Sequence, residues 1–150
     1  MNEIQKNDNR KKRIGSGVKY LFFIALTFMM YSSCDEIDSE IPDVMVNLNI
    51  DLGIWNDLTV PGNSVFFPNI GFGGVIVYCE LQGSYYAFDA ACTNEINPSC
   101  KVENEGVTGK CSCCESEFIF IGGTPTKGPA AAPLKQYKTS LAGNILRVYN

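Results

Sequence analysis

The chain has 150 residues, 45% hydrophobic and 11% aromatic, a globular composition with room for one domain and short appendages. Six Lys/Arg against Glu3 and Asp8 give residues 1–33 a net charge of +4, so within a whole-chain charge of −4 residues 34–150 carry −8. An acidic body argues against a nucleic-acid partner, which needs clustered Lys and Arg, and the absence of any histidine removes Ser-His and Cys-His catalysis.

Residues 10–13 form a basic stretch, residues 21–30 (LFFIALTFMM) an apolar run, and Tyr31-Ser32-Ser33 leads into Cys34. The run is too short for a comfortable bilayer span. The segment resembles a bacterial lipoprotein signal, which makes residues 1–33 a signal peptide, Cys34 the lipidated first residue, and the membrane a partner through that lipid. An uncleaved anchor is the alternative. Either way the body is expected in the cell envelope, where disulfides persist. Lys12-Arg13 is not a twin-arginine pair, so the expected export route is unfolded, through Sec. Residues 34–43 read as an acidic, solvated tether. The run that follows Cys34 also resembles surface-export signals of some Bacteroidota lipoproteins.

The body, residues 44–150, reads as short strands. Val46, Leu48, Ile50 and Leu52 alternate with Asn47, Asn49 and Asp51, the period of a strand with one buried side. Pro61-Gly62-Asn63 is a turn, and Val65-Phe66-Phe67 a short strand. Residues 75–81 form the next strand, with Val75, Val77, Cys79 and Leu81 on one face and Ile76, Tyr78 and Glu80 on the other. A tight connection through Gly83 leads to residues 85–89, a hairpin signal. Further strands are expected at 107–111, 117–121, 133–137 and 144–149. No helical periodicity appears after residue 34, so the fold class is all-β, an antiparallel sandwich or small barrel. The acidic side chains are scattered, and solvated strand faces are their expected place.

Five of the seven cysteines lie between residues 92 and 114. Cys79, on an apolar strand face, reads as a buried free thiol. Cys92, Cys100, Cys111, Cys113 and Cys114 suit two chemistries. Thiolates bind iron–sulfur or zinc, and Cys111 and Cys114 have the spacing that turns two sulfurs into one site. Disulfides tie loops together in exported domains. Cys113 and Cys114 are adjacent, so a bond between them would be strained.

The order of these features is similar to a Rieske domain, a 2Fe-2S family. The similarity rests on Tyr86-Ala87-Phe88-Asp89-Ala90-Ala91-Cys92-Thr93, the 19-residue interval from Cys92 to Cys111, Gly122-Gly123, Gly128-Pro129-Ala130 and Pro133-Leu134-Lys135-Gln136-Tyr137. It covers residues 44–150 and implies a multi-sheet β domain with two cysteine-bearing loops. It implies that Cys92 and Cys111 are the cysteine ligands of one iron, that Cys100 and Cys113 pair as the disulfide between the loops, that Ser116 donates toward a cluster sulfur, and that Gly128, Pro129 and Ala130 cover the cluster. The departures fall on the chemistry. Asn94 and Cys114 stand at the two histidine-ligand positions, Glu115 replaces a glycine, and residues 95–99 lengthen the first loop. The His2Cys2 centre is therefore excluded. Three readings remain: a cluster-free, disulfide-stabilised cell-envelope domain in which Cys92 bridges Cys111 or Cys114; an electron-transfer protein with a cysteine-rich 2Fe-2S cluster and a redox partner; and a structural zinc site on Cys92, Cys111, Cys114 and one more cysteine. None of them is an enzyme.

Overall fold

The computed structural model describes residues 40–150; the expected signal peptide, Cys34 and the tether as far as Ser39 lie outside the described residues. In chain order the strands are β1 (Asn47–Asp51), β2 (Ser64–Phe67), β3 (Val75–Leu81), β4 (Ser84–Asp89), β5 (Val102–Asn104), β6 (Thr108–Cys111), β7 (Glu117–Ile119), β8 (Pro125–Lys127), β9 (Gln136–Ala142) and β10 (Ile145–Tyr149). A single 3-10 turn, Asn56–Thr59, is the helical element among the described residues. The strands make a six-stranded antiparallel sheet in the order β1-β10-β9-β4-β3-β2 and a four-stranded one in the order β5-β6-β7-β8. The all-β expectation holds.

Strands β3 and β4 lie between two cores. Val75, Val77, Cys79, Tyr85 and Ala87 pack with Val46, Ile50, Leu58, Leu146 and Val148 on one side of the large sheet. Ile76, Tyr78 and Phe88 pack with Val102, Phe118, Phe120 and Leu134 on the other. A strand covered on both faces has no polar face, which is why residues 75–79 are apolar without a break. Cys79 is a buried free thiol.

Several local expectations need correction. Leu81 is 62% exposed rather than on the buried face, because the β3–β4 register shifts between Cys79 and Leu81. The strand expected at 133–137 starts only at Gln136 and runs on to Ala142. Its outer half is mostly exposed, and is held by ladder hydrogen bonds to β10 rather than by a buried apolar face. Strands β5 and β8 were not expected: one has Val102 as its only apolar residue, and the other opens on a proline at a sheet edge. At the start of the domain Ile41 is buried, and Lys135 Nζ donates to Asp43 Oδ1 at 2.9 Å and to Pro42 O at 3.1 Å, so residues 41–43 of the expected tether pack on the body.

Asp89 overturns the expectation of solvated carboxylates. It is fully buried at the end of β4. Its Oδ1 accepts the N–H groups of Gly73 and Ala91 at 2.8 and 2.9 Å, and its Oδ2 accepts the Phe72 N–H and the Tyr137 hydroxyl, both at 2.7 Å. One side chain thus ties the loop before β3 and β9 to the point where the first cysteine loop leaves β4.

Candidate functional site

The first loop leaves β4 through Ala90 and Ala91. Ala91 bridges Lys101, and the Cys92 N–H donates to the Cys100 carbonyl at 3.0 Å, so the loop returns beside its own start. The second loop joins β6 to β7. It is a tight turn closed by Cys111 N–H to Ser116 O at 2.8 Å and Glu115 N–H to Cys111 O at 3.1 Å. Ser112 N–H donates to Lys101 O at 2.9 Å, and a disulfide joins Cys100 to Cys113 across a Cα separation of 5.4 Å. The loops are thus held together by main chain and by sulfur.

Between them the structure brings three free thiols together. The Sγ atoms of Cys92, Cys111 and Cys114 all lie within 4.8 Å of one another. Cys92 and Cys111 are buried and Cys114 is half-buried. Asn94, at the other histidine-ligand position, is exposed in the lengthened loop. Cys100 and Cys113 are occupied with each other.

Ser116 organises the thiols. It is fully buried, and its hydroxyl lies 3.1 Å from Cys114 Sγ while accepting the Ala130 N–H at 3.0 Å. The covering loop approaches so closely that a Cβ on Gly128 (φ +92°) would stand 2.6 Å from Ser116 Cα, which only glycine permits. Pro129 is exposed on the outside of that loop, and Ala130 is buried beneath it. Thr93 Oγ1 donates to Ala132 O at 2.8 Å, tying the first cysteine loop to the same cover. The sequence places Thr93 in the first cysteine block but gives its hydroxyl no role, since its partner lies 39 residues downstream.

The thiols differ electrostatically. Burial, together with its hydrogen bond to Cys111, pushes Cys92 up to about 12. Burial also acts against the Cys114 thiolate, but the hydroxyl and main-chain N–H of Ser116 and the thiols of Cys92 and Cys111 outweigh it and lower the group. The sulfurs of Cys92 and Cys114 lie 3.4 Å apart. The half-buried, lowered thiol is the reactive one. Ser116→Ala is expected to slow alkylation of Cys114 at neutral pH by roughly tenfold, the worth of one hydrogen bond to a charged group. Peptide-resolved alkylation rates check this, and an unchanged rate at Cys114 contradicts it.

Glu115 occupies the left-handed region at φ +59°, where the resemblance has glycine. That conformation costs a side-chain-bearing residue about 1–2 kcal/mol, and glycine loses about 0.5–1 kcal/mol more chain entropy on folding. Glu115→Gly is expected to stabilise the domain by less than about 1 kcal/mol in urea unfolding. A clear loss of stability would mean that the exposed Lys110–Glu115 pair, 3.7 Å apart, outweighs the strain.

No protein-family model matches the sequence, and no curated protein matches it. Solved structures do. A chain of the complex of reduced oxygenase and oxidised ferredoxin in carbazole 1,9a-dioxygenase matches at 20% identity over 69% of this chain and 93% of that one, with a TM-score of 0.50. The ferredoxin of carbazole 1,9a-dioxygenase from Nocardioides aromaticivorans IC177 matches at 20% identity over 71% and 97%, with a TM-score of 0.46. The plasma-membrane Rieske protein of Synechocystis PCC 6803 matches at 27% identity over 71% and 98%, with a TM-score of 0.48. A curled sheet, a small sheet beside it and two cysteine loops tied by a disulfide make this a Rieske-like fold.

Proposed function

We propose that this chain is a lipid-anchored cell-envelope domain that keeps a Rieske-like fold without a Rieske centre, its cysteine loops held by the Cys100–Cys113 disulfide. It serves as a binding or interaction module and not as an enzyme. The observation that carries this reading is the donor set. A 2Fe-2S cluster takes four protein ligands. Among the described residues three thiols converge, Asn94 is exposed, and the remaining sulfurs of the two loops are bonded to each other. The residues present do not fit that group, and structural zinc, which also takes four ligands, fits no better. The expected anchor at Cys34 supports placement in the envelope. Incorporation of a labelled fatty acid that is lost in Cys34→Ala tests it, and label that persists in the variant contradicts it.

A second reading has one observation in its favour: the cover loop is retained on Ser116, whose hydroxyl is aimed at a site sulfur. On that reading the chain is an electron carrier with a cysteine-rich 2Fe-2S cluster. It would act with a redox partner, as the ferredoxin of the carbazole dioxygenase complex stands with its oxygenase. Anaerobic reconstitution with iron and sulfide separates the two. A colourless protein free of iron and labile sulfide is the expected result. Visible charge-transfer bands with stoichiometric iron and sulfide would overturn the first reading in favour of the second.

A further inference from the structure

Three sulfurs are too few for the four-coordinate groups considered above, but they are a complete set for a three-coordinate ion. We propose that Cys92, Cys111 and Cys114 bind one soft monovalent cation, Cu(I), through three thiolate sulfurs. The inference rests on the cluster-free reading and names what the same site takes instead.

The geometry suits one ion. With metal–sulfur bonds of about 2.3 Å, two sulfurs on the same ion stand about 4 Å apart. The three Sγ atoms already lie within 4.8 Å of one another, so small side-chain rotations bring them onto a common centre. Thiolate sulfur is soft and selects Cu(I) over hard cations. No fourth thiol is at hand among the described residues, and the nearest hydroxyl, Ser116, is committed to Cys114 and Ala130. A site of this composition favours an ion that is satisfied by three ligands.

The surroundings suit the charge that binding creates. One Cu(I) displaces three thiol protons, giving a tris-thiolate of charge −2 with no change in copper oxidation state. The Ser116 hydroxyl stands 3.1 Å from the Cys114 sulfur and is fixed there by the Ala130 N–H it accepts. A donor of this kind fixes the orientation of the ligating sulfur and spreads its charge. Cys92 and Cys111 are sealed in the core, while Cys114 gives access from outside. Beside the second loop a shallow depression of about 310 Å³ is rimmed by Glu103, Glu105 and Glu115 against Lys110, a net negative surface that concentrates cations.

The test uses the full chain in detergent, iron-free and anaerobic, titrated with Cu(I) against a chromogenic Cu(I) chelator. One Cu(I) per chain is expected, with three sulfur neighbours by X-ray absorption. Cys92→Ser and Cys114→Ser are each expected to weaken binding by more than about 100-fold, beyond the usual effect of losing an outer-shell partner. Cys79→Ala, in the other core, is expected to change nothing. Failure of the folded wild-type protein to hold Cu(I), two sulfur neighbours instead of three, or equal affinity in the variants would overturn the inference. Because X-ray absorption reads the wild-type chain, a variant that fails to fold does not shield it. Uptake of iron and sulfide would instead overturn the cluster-free reading beneath it.

Discussion

Asp89→Ala is expected to lower the unfolding free energy by roughly 3–5 kcal/mol, enough to leave a domain of ordinary stability largely unfolded. The side chain is fully buried and accepts four hydrogen bonds, from Phe72, Gly73, Ala91 and Tyr137. Truncation leaves three main-chain N–H groups and a phenol without an acceptor in a site closed to water, and each orphaned group costs about 1–3 kcal/mol. Asn at this position fares little better, because its amide turns one acceptor oxygen into a donor facing N–H groups. Tyr137→Phe removes a single donor and is expected to cost only about 1 kcal/mol. The same network sets an alkaline limit. Burial first, and then the hydrogen bond to Asp89, push the Tyr137 phenol above its ordinary range near 10. Its contribution is therefore complete below that range and is lost progressively as pH rises above it toward the raised value. Cys92, pushed up to about 12, adds a loss in the same direction that begins above the ordinary thiol range near 8.5. Urea unfolding followed by circular dichroism across alkaline pH measures both. Stability that is flat above about pH 10, or an Asp89→Ala protein within about 1 kcal/mol of wild type, would contradict this account of the network.

Removing the Cys100–Cys113 bond is the other large effect. The bond spans a sequence separation of 13 residues, and closing a loop of that size removes about 3 kcal/mol of chain entropy from the unfolded state. The double substitution Cys100→Ala and Cys113→Ala is expected to cost about that much, and reduction of the wild-type protein should match it. The change should also loosen the thiol site, because Cys100 and Cys113 bring the segment after Cys92 onto the turn that carries Cys111 and Cys114. A double variant as stable as wild type would mean that the main-chain contact from Ser112 to Lys101 holds the loops together without the disulfide.

The sequence made the central hairpin legible because its side chains carry the pattern. Residues 75–79 are apolar on both faces, and β10 alternates Leu146 and Val148 inward with Ile145 and Arg147 outward. Strands held mainly by ladder bonds left no such trace: β5, β8 and the outer half of β9 expose most of their side chains. Asp89 was illegible for a related reason. The donors that bury it come from a glycine loop 16 and 17 residues upstream and a tyrosine 48 residues downstream, and no local pattern announces such a convergence. At the site, the cysteine order named the residues but left the chemistry open. Whether Cys92 faces Cys114 depends on how a lengthened loop folds back, and that is set by the bridge at Lys101 and by Thr93 reaching the cover segment at Ala132.

The most direct test of the account is the covalent state of the two loops: one disulfide beside three free, converging thiols. The full chain, denatured and alkylated without reductant, is cleaved after Glu95 so that Cys92 and Cys100 fall on separate peptides, and is then mapped by mass spectrometry. The expected result is Cys100 linked to Cys113, with Cys79, Cys92, Cys111 and Cys114 all alkylated. A bond from Cys92 to Cys111 or Cys114, or alkylated Cys100 and Cys113, would contradict it.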